Sequence, residues 1–216
     1  MPMPDAIIFD FDGVLVDSVN IKTEAFAELY RPHGEEVARQ VAAYQRAHGG
    51  MTRHAKIRHF GATLLGRAPT DAEVDALAAR MGALVEEKVT ACPMIAGARD
   101  FLDRHHARVR LFVASATPEA ELRRIVAGRG LAPYFRGVHG SPTPKDRVVA
   151  QIVRAAALDP ARTVMVGDAE EDRAAAAASG VPFIGVLAPG QPSPFPPGVP
   201  TIPDLRTLEP AILALG

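Results

Sequence analysis

Cysteine is nearly missing from this chain. The one present, Cys92, cannot form an intrachain disulfide and fits a reducing compartment. An excess of charge of either sign is missing too: a formal net charge of −1 argues against wholesale electrostatic binding to nucleic acid or to a membrane surface. No apolar run reaches the ~18 residues that a membrane-spanning helix needs. The opening residues, MPMPDAII, have neither the basic stretch nor the long apolar stretch of a secretory leader. These absences predict a cytoplasmic protein, monomer or homodimer, with no nucleic-acid and no membrane partner. The 216 residues, 48% hydrophobic and 23% charged, suffice for one large domain or for a domain carrying an insertion.

The most informative stretch is Ala6 to Ser18, AIIFDFDGVLVDS. Four apolar residues end abruptly in Asp10 and Asp12, followed by Gly13. Such a run reads as a buried strand that delivers carboxylates to the edge of a sheet. Two negative charges so close repel each other unless a cation or a shared proton offsets them, so a metal ion is the first suspect. A calcium-binding EF-hand loop is a poor match, because Val14 and Val16 stand where oxygen ligands would be needed.

After Ser18 the pattern turns helical as far as about Lys88. Ile21, Ala25 and Leu29 share one helix face, a second helix opens near His33, and Gly49-Gly50 ends it. Thr52 is placed to cap a third helix, and Pro69-Thr70-Asp71 precedes a fourth that runs to about Thr90. From Arg108 onward, strand-like and helix-like segments alternate: strands at Val109–Ala114, Thr163–Val166 and Val181–Leu187, helices at Glu119–Gly128, Asp146–Leu158 and Glu170–Ser179. Strands separated by helices of this length imply right-handed crossovers and a parallel sheet. Seven prolines between Pro189 and Pro203 forbid a regular helix there and suggest an extended surface loop.

Ligands of open parallel α/β sheets bind beyond the carboxyl ends of the strands, and here each strand ends in something polar. The first ends in Asp10 and Asp12. RLFVA leads to Ser115 and Thr117, TVMVG leads to Asp168 with Asp172 close behind, and the SPTPKDR loop offers Lys145.

Taken together, IIFDFDGVLVDS, FVASATP, PTPKDR and VMVGDAEED resemble the four motifs of the haloacid dehalogenase superfamily, in the branch whose helical cap is inserted just after the first strand. The resemblance implies a Rossmann-like α/β core formed by residues 1–16 and 92–216, with an all-helical cap at 17–91. It implies that Asp10 is a nucleophile that forms an aspartyl-phosphate, and that Asp12 is the general acid and then the base. Ser115 would hold phosphoryl oxygens and Lys145 would bridge them to the nucleophile. Mg²⁺ would be held by Asp10, Asp168 and the Asp12 backbone carbonyl, with Asp172 in support. The chemistry calls for the same residue types, since a carboxylate attacks a phosphate dianion only where cations and hydrogen-bond donors draw charge from both. Oxygen ligands without Cys or His suit Mg²⁺ better than Zn²⁺. An acid at position 12 favours phosphate esters over halides, because a departing halide needs no proton.

The resemblance leaves substrate choice to the helical insertion. No acidic residue occurs between Val37 and Thr70, whereas Arg39, Arg46, Arg53, Lys56, Arg58 and Arg67 do. Arg53 follows Gly50-Met51-Thr52, similar to the Gly-x-Ser/Thr-Arg substrate loop of the resembling caps, and it begins a helix whose free N–H groups favour an anion. Arg53, helped by Lys56 or His54, is expected to grip a polar or anionic part of the leaving group. Lys22, where mutases of this cap class tend to carry histidine, is expected at the active-site entrance, and Thr117 beside the substrate. The expected function is a Mg²⁺-dependent phosphatase of small phosphorylated metabolites. The alternatives are a sugar phosphomutase, a catalytically silent binding module and, last, a dehalogenase.

Overall fold

The computed structural model describes residues 2–215. Its centre is β1 (Ala6–Phe9), whose four side chains are all buried, as expected of a strand covered on both faces. On one side of it lie β2 (Arg110–Pro118) and β3 (Gly137–Ser141). On the other lie β4 (Thr163–Gly167), β5 (Phe183–Val186) and β6 (Thr201–Ile202). The order β3-β2-β1-β4-β5-β6 is parallel throughout, so β1 sits where the chain switches from building one half of the sheet to the other.

Alternate residues of the central strands face opposite layers. Ala6, Ile8, Phe112, Ala114 and Met165 pack against α7 (Lys145–Ala155) and α8 (Glu170–Ala178). Ile7, Phe9, Leu111, Val113, Val164 and Val166 face the other layer, which holds α5 (Ala98–His105), α6 (Glu119–Gly128) and the terminal α9 (Leu208–Leu213). In that layer Phe101 sets its ring edge-on to Phe9 at 6.0 Å.

Four helices stand between β1 and α5: α1 (Val19–Tyr30), α2 (Glu35–Ala47), α3 (Arg53–Leu64) and α4 (Asp71–Ala91). Their starts follow local chemistry. Thr52 Oγ1 accepts from the Ala55 N–H, and Thr70 with Glu73 forms a reciprocal capping box ahead of α4. Phe60 of α3 meets Phe26, Tyr30 and Tyr44 edge-on, giving this helical region an aromatic centre that runs on into the core layer of Ile7 and Phe9. The chain enters and leaves it through two connectors bonded to each other. The Asp17 N–H donates to Pro93 O at 2.9 Å, the Ile95 N–H donates to Leu15 O at 3.1 Å, and Val16 forms an antiparallel bridge with Met94.

Two strands escape the sequence reading. In β3, GVHGS, two glycines dilute the apolar signal, and the strand is recognisable only by its pairing with β2. β6 lies inside the proline-rich stretch expected to be a surface loop. The prolines from Pro189 to Pro203 are exposed, yet Phe195 is buried against Phe183 with ring centroids 5.3 Å apart, and Thr201–Ile202 pairs with β5 as an edge strand. Proline is tolerated beside an edge because the outer N–H row has no partner to lose.

Candidate active site

Three neighbouring strands bring Asp10, Ser115 and Asp168 together: Asp10 and Asp168 directly follow β1 and β4, and Ser115 lies in the last part of β2, where its register with β3 shifts. Oxygen atoms of Asp10, Asp168 and Asp172 all lie within 4.8 Å of one another. Asp172 reaches the group from the first turn of α8, where its Oδ2 also accepts the Ala169 N–H at 3.1 Å. Lys145, first residue of α7, enters from the neighbouring helix of the same layer. Its Nζ lies 3.2 Å from Asp10 Oδ1 and donates to Asp172 Oδ1. Burial works against the lysine's charge, but Asp10 and Asp172 more than compensate and raise its pKa.

One cation does not balance this cluster. Burial, opposed by Lys145 but reinforced by Asp172 and Asp12, pushes the Asp10 carboxyl up to about 7, and burial with Asp10 close by holds Asp168 well above the usual range. Asp10 Oδ1 is buried without a hydrogen bond of good geometry. Hard oxygen donors, an orphaned carboxylate oxygen and a surplus of negative charge fit a divalent cation such as Mg²⁺. The turn after Asp12 is fitted closely to the Asp168 carboxylate: Gly13 has φ +78°, and a Cβ there would come within 2.2 Å of Asp168 Oδ2.

Asp12 turns away from this cluster. Ser18 Oγ donates to its Oδ1 at 2.5 Å, Thr117 Oγ1 donates to its Oδ2 at 3.0 Å, and Lys22 Nζ also bonds Oδ2. Burial would raise the Asp12 pKa, but these donors, Lys22 foremost, lower it, so the side chain is held as a carboxylate. That suits a base; serving as an acid requires the Lys22 contact to open. Ser115 Oγ, 3.4 Å from Asp12 Oδ2, accepts the Thr117 N–H at 3.1 Å.

Lys22 and Thr117, expected at the entrance and beside the substrate, are engaged with Asp12 and with each other, Lys22 Nζ lying 2.7 Å from Thr117 Oγ1. The helical region closes the site from above. A narrow cavity of about 40 Å³ lies between the two, lined by Asp10, Asp12, Ser115 and Asp168 from below and by Phe26, Gln45, Met51, Arg53, Lys56 and Met81 from above. Gly50 sits so close to α8 that a Cβ on it would meet Glu171 Cβ at 2.8 Å.

Of the expected substrate-gripping residues, His54 is not brought to the cavity. It projects outward, 3.5 Å from Asp75. Arg53 does line the cavity, but its guanidinium is committed to a bidentate pair with Glu121 of α6, both bonds 2.8 Å, and to Ala78 O. Lys56 is 2% exposed and bonds only neutral oxygens, Gln45 Oε1 at 2.6 Å and Gly49 O at 3.3 Å. Arg39, Arg58 and Arg67 pair on the surface with Glu36, Asp71 and Glu73. Sequence reasoning missed Ser18, Gln45 and Glu121. Glu121 lies in the first turn of α6, where an acid is favoured by the helix dipole in any case, which hid its role.

Comparison with known proteins agrees with this geometry. A family model described as haloacid dehalogenase-like hydrolase matches residues 4–180. The phosphoglycolate phosphatase of Rhodospirillum rubrum is 31% identical over 192 residues, which is 84% of this chain and 79% of that protein. The tyrosine-protein kinase PtkA of Mycobacterium tuberculosis is 31% identical over 191 residues, 85% of this chain and 62% of that protein. Among solved structures, the HAD-hydrolase YfnB of Bacillus subtilis, bound to magnesium, superposes with a TM-score of 0.73 over 98% of this chain and 99% of its own, at 16% identity. At that identity the likeness speaks for the fold alone.

Proposed function

Because the chain belongs to the haloacid dehalogenase-like hydrolases, we propose that it is a Mg²⁺-dependent phosphatase of a small phosphorylated organic acid, with residues 17–91 as its cap. The observation that carries the reading is the cluster of Asp10, Asp168 and Asp172 around Lys145, directly below a cavity that the helical region closes. The choice of a small phosphorylated acid is supported by the phosphoglycolate phosphatase relative and by the basic side chains Arg53 and Lys56 in the cavity lining.

In the proposed reaction an Asp10 carboxylate oxygen attacks phosphorus as the bond to the leaving oxygen breaks. Asp12 gives that oxygen a proton, and the aspartyl-phosphate remains. Water then attacks the same phosphorus, Asp12 takes its proton, and inorganic phosphate departs as Asp10 is restored. Lys145 and Ser115 take up phosphoryl charge and Thr117 positions Asp12; Lys22 leaves Asp12 so that it carries the proton it gives, and its return favours the carboxylate that acts as the base. Mg²⁺, held by Asp10 and Asp168 with the Asp12 carbonyl and with Asp172 in support, would neutralise charge on the phosphoryl oxygens.

The PtkA relative favours one second reading, transfer of the phosphoryl group to an acceptor other than water. Phosphate release from a panel of phosphorylated acids and sugars with Mg²⁺, wild type beside Asp10→Asn, decides between them. Release that depends on Asp10 supports the hydrolase. Label that moves from the aspartyl-phosphate to a sugar or a tyrosine, with little free phosphate, supports the transferase.

A further inference from the structure

Each cation around the cavity has a carboxylate partner, with one exception. Lys145 faces Asp10 and Asp172, Lys22 faces Asp12, and Arg53 faces Glu121. Lys56, among the described residues of the lining, has only an amide oxygen and a backbone carbonyl, and lies 5.8 Å from the centre of the Phe26 ring. An ammonium group buried without a counter-ion is costly, and a lysine kept only for packing would be replaced by an apolar side chain at no loss. The cost has a use if the missing anion arrives with the substrate.

We propose that Lys56, and not Arg53, is the specificity-determining residue of the cap: its ammonium receives a second anionic group of the substrate, a carboxylate close to the phosphate ester. Arg53 is left the task of tying α3 to α6 through Glu121. The proposal rests on the phosphatase reading and names the substrate class within it. Three features of the surroundings agree. Gln45 from α2 and the Gly49 carbonyl aim the ammonium group without neutralising it. Phe26 from α1 excludes water on one side. The charges that reach Lys56 from the packed elements are mixed: Lys22 on α1 and Lys145 on α7 oppose its protonation, Glu171 on α8 and Asp12 favour it, and burial, the largest influence, brings its pKa down to about 7. An arriving carboxylate therefore draws a proton onto Lys56 from solution at neutral pH and above.

The test compares two substrates, 2-phosphoglycolate with its carboxylate and para-nitrophenyl phosphate with none, on wild type and Lys56→Met with saturating Mg²⁺. In the variant the ratio of kcat/KM for phosphoglycolate over para-nitrophenyl phosphate is expected to fall more than tenfold, chiefly through KM. In the wild type, binding of phosphoglycolate to the inactive Asp10→Asn protein is expected to take up protons at pH 8, measured by calorimetry in buffers of different ionisation enthalpy; this uptake disappears when Lys56→Met is added. A ratio unchanged within twofold, or an uptake that persists without Lys56, overturns the assignment. Arg53→Met losing the same ratio while Lys56→Met keeps it would hand the role back to Arg53. A wild type that hydrolyses neither substrate refutes the phosphatase reading itself, so the two failures are told apart. The melting temperature of Lys56→Met is expected to equal or exceed that of wild type; a fall would mark Lys56 as structural.

Discussion

The core and the cap handle charge in opposite ways. In the core, negative charge is in surplus: the carboxylates of Asp10, Asp168 and Asp172 crowd around Lys145 and leave Asp10 Oδ1 without a hydrogen bond. On the cap's side of the cavity the unmet charge is positive: Lys56 is the lining cation left without a counter-ion. The two imbalances face one cavity. On the proposed function, a phosphorylated acid with its divalent cation would resolve both, the cation meeting the carboxylates and the acid's anion meeting the lysine. The difference teaches where to look for function: at groups whose electrostatic needs the folded chain leaves unmet.

The largest effect should come from breaking the core side of this comparison. Asp10→Asn is expected to lower phosphate release by at least ~10³-fold, with no labelled aspartyl-phosphate trapped by acid quench. With Mg²⁺ removed, the same change should raise the melting temperature, because it deletes one of the crowded negative charges. Its loss of activity therefore cannot be blamed on misfolding. Next comes the bridge between the two regions. Arg53→Ala leaves Glu121 buried without its partner and should cost about 3–5 kcal/mol in denaturant unfolding, while Arg53→Met with Glu121→Leu should recover most of that. Full recovery of stability together with unchanged phosphoglycolate selectivity would confirm that the pair is a fastener.

Closer to the seam, Gly50→Val places a side chain where Glu171 already stands. It should reduce kcat/KM about 10–100-fold by keeping the cap from seating, with little change in melting temperature. Mg²⁺ itself should stabilise the fold. At a hundred times its dissociation constant it contributes about 2.7 kcal/mol in wild type, and distinctly less in Asp168→Asn. The smallest effect is a slope. Lys56 holds its proton less firmly folded, near 7, than unfolded, so the unfolded state binds more protons between about pH 7 and the ordinary lysine range. Stability contributed at this position thus rises with pH across that window and is flat below it. Lys56→Met should remove the rise, as seen in urea midpoints collected from pH 6 to 10.

The core was far more legible in the sequence than the cap. AIIF followed by two aspartates states a buried strand and its cargo in a dozen residues, because a strand end and its side chains are local in sequence. Ser115 and Asp168 could be added because parallel strands put their carboxyl ends together whatever the details, and Lys145 through the resemblance of the PTPKDR loop, since β3 ahead of it was not legible. The four cap helices were legible from periodicity and from Thr52 and Thr70. The use of the cap's cations was not. Arg53 looked free because its partner, Glu121, lies 68 residues away on another element. Lys56 looked like its assistant because nothing local shows that Arg53 is already engaged. Likewise β6 hid among prolines, since what fixes it is pairing with β5 and the ring of Phe195, both contributed from a distance.

The paired connectors on either side of the cap have a mechanical consequence. Val16 bridges Met94, and the backbone bonds from Asp17 to Pro93 and from Ile95 to Leu15 stitch the outgoing and returning strands into one ribbon. Two separate threads would let the helical bundle drift, tilt and twist independently. A ribbon is stiff in its own plane and soft across it, so it permits swinging about a single axis and resists the rest. A helical region that swung on this ribbon would bring Lys56 and Gly50 back over the same three strands, in register, without any search.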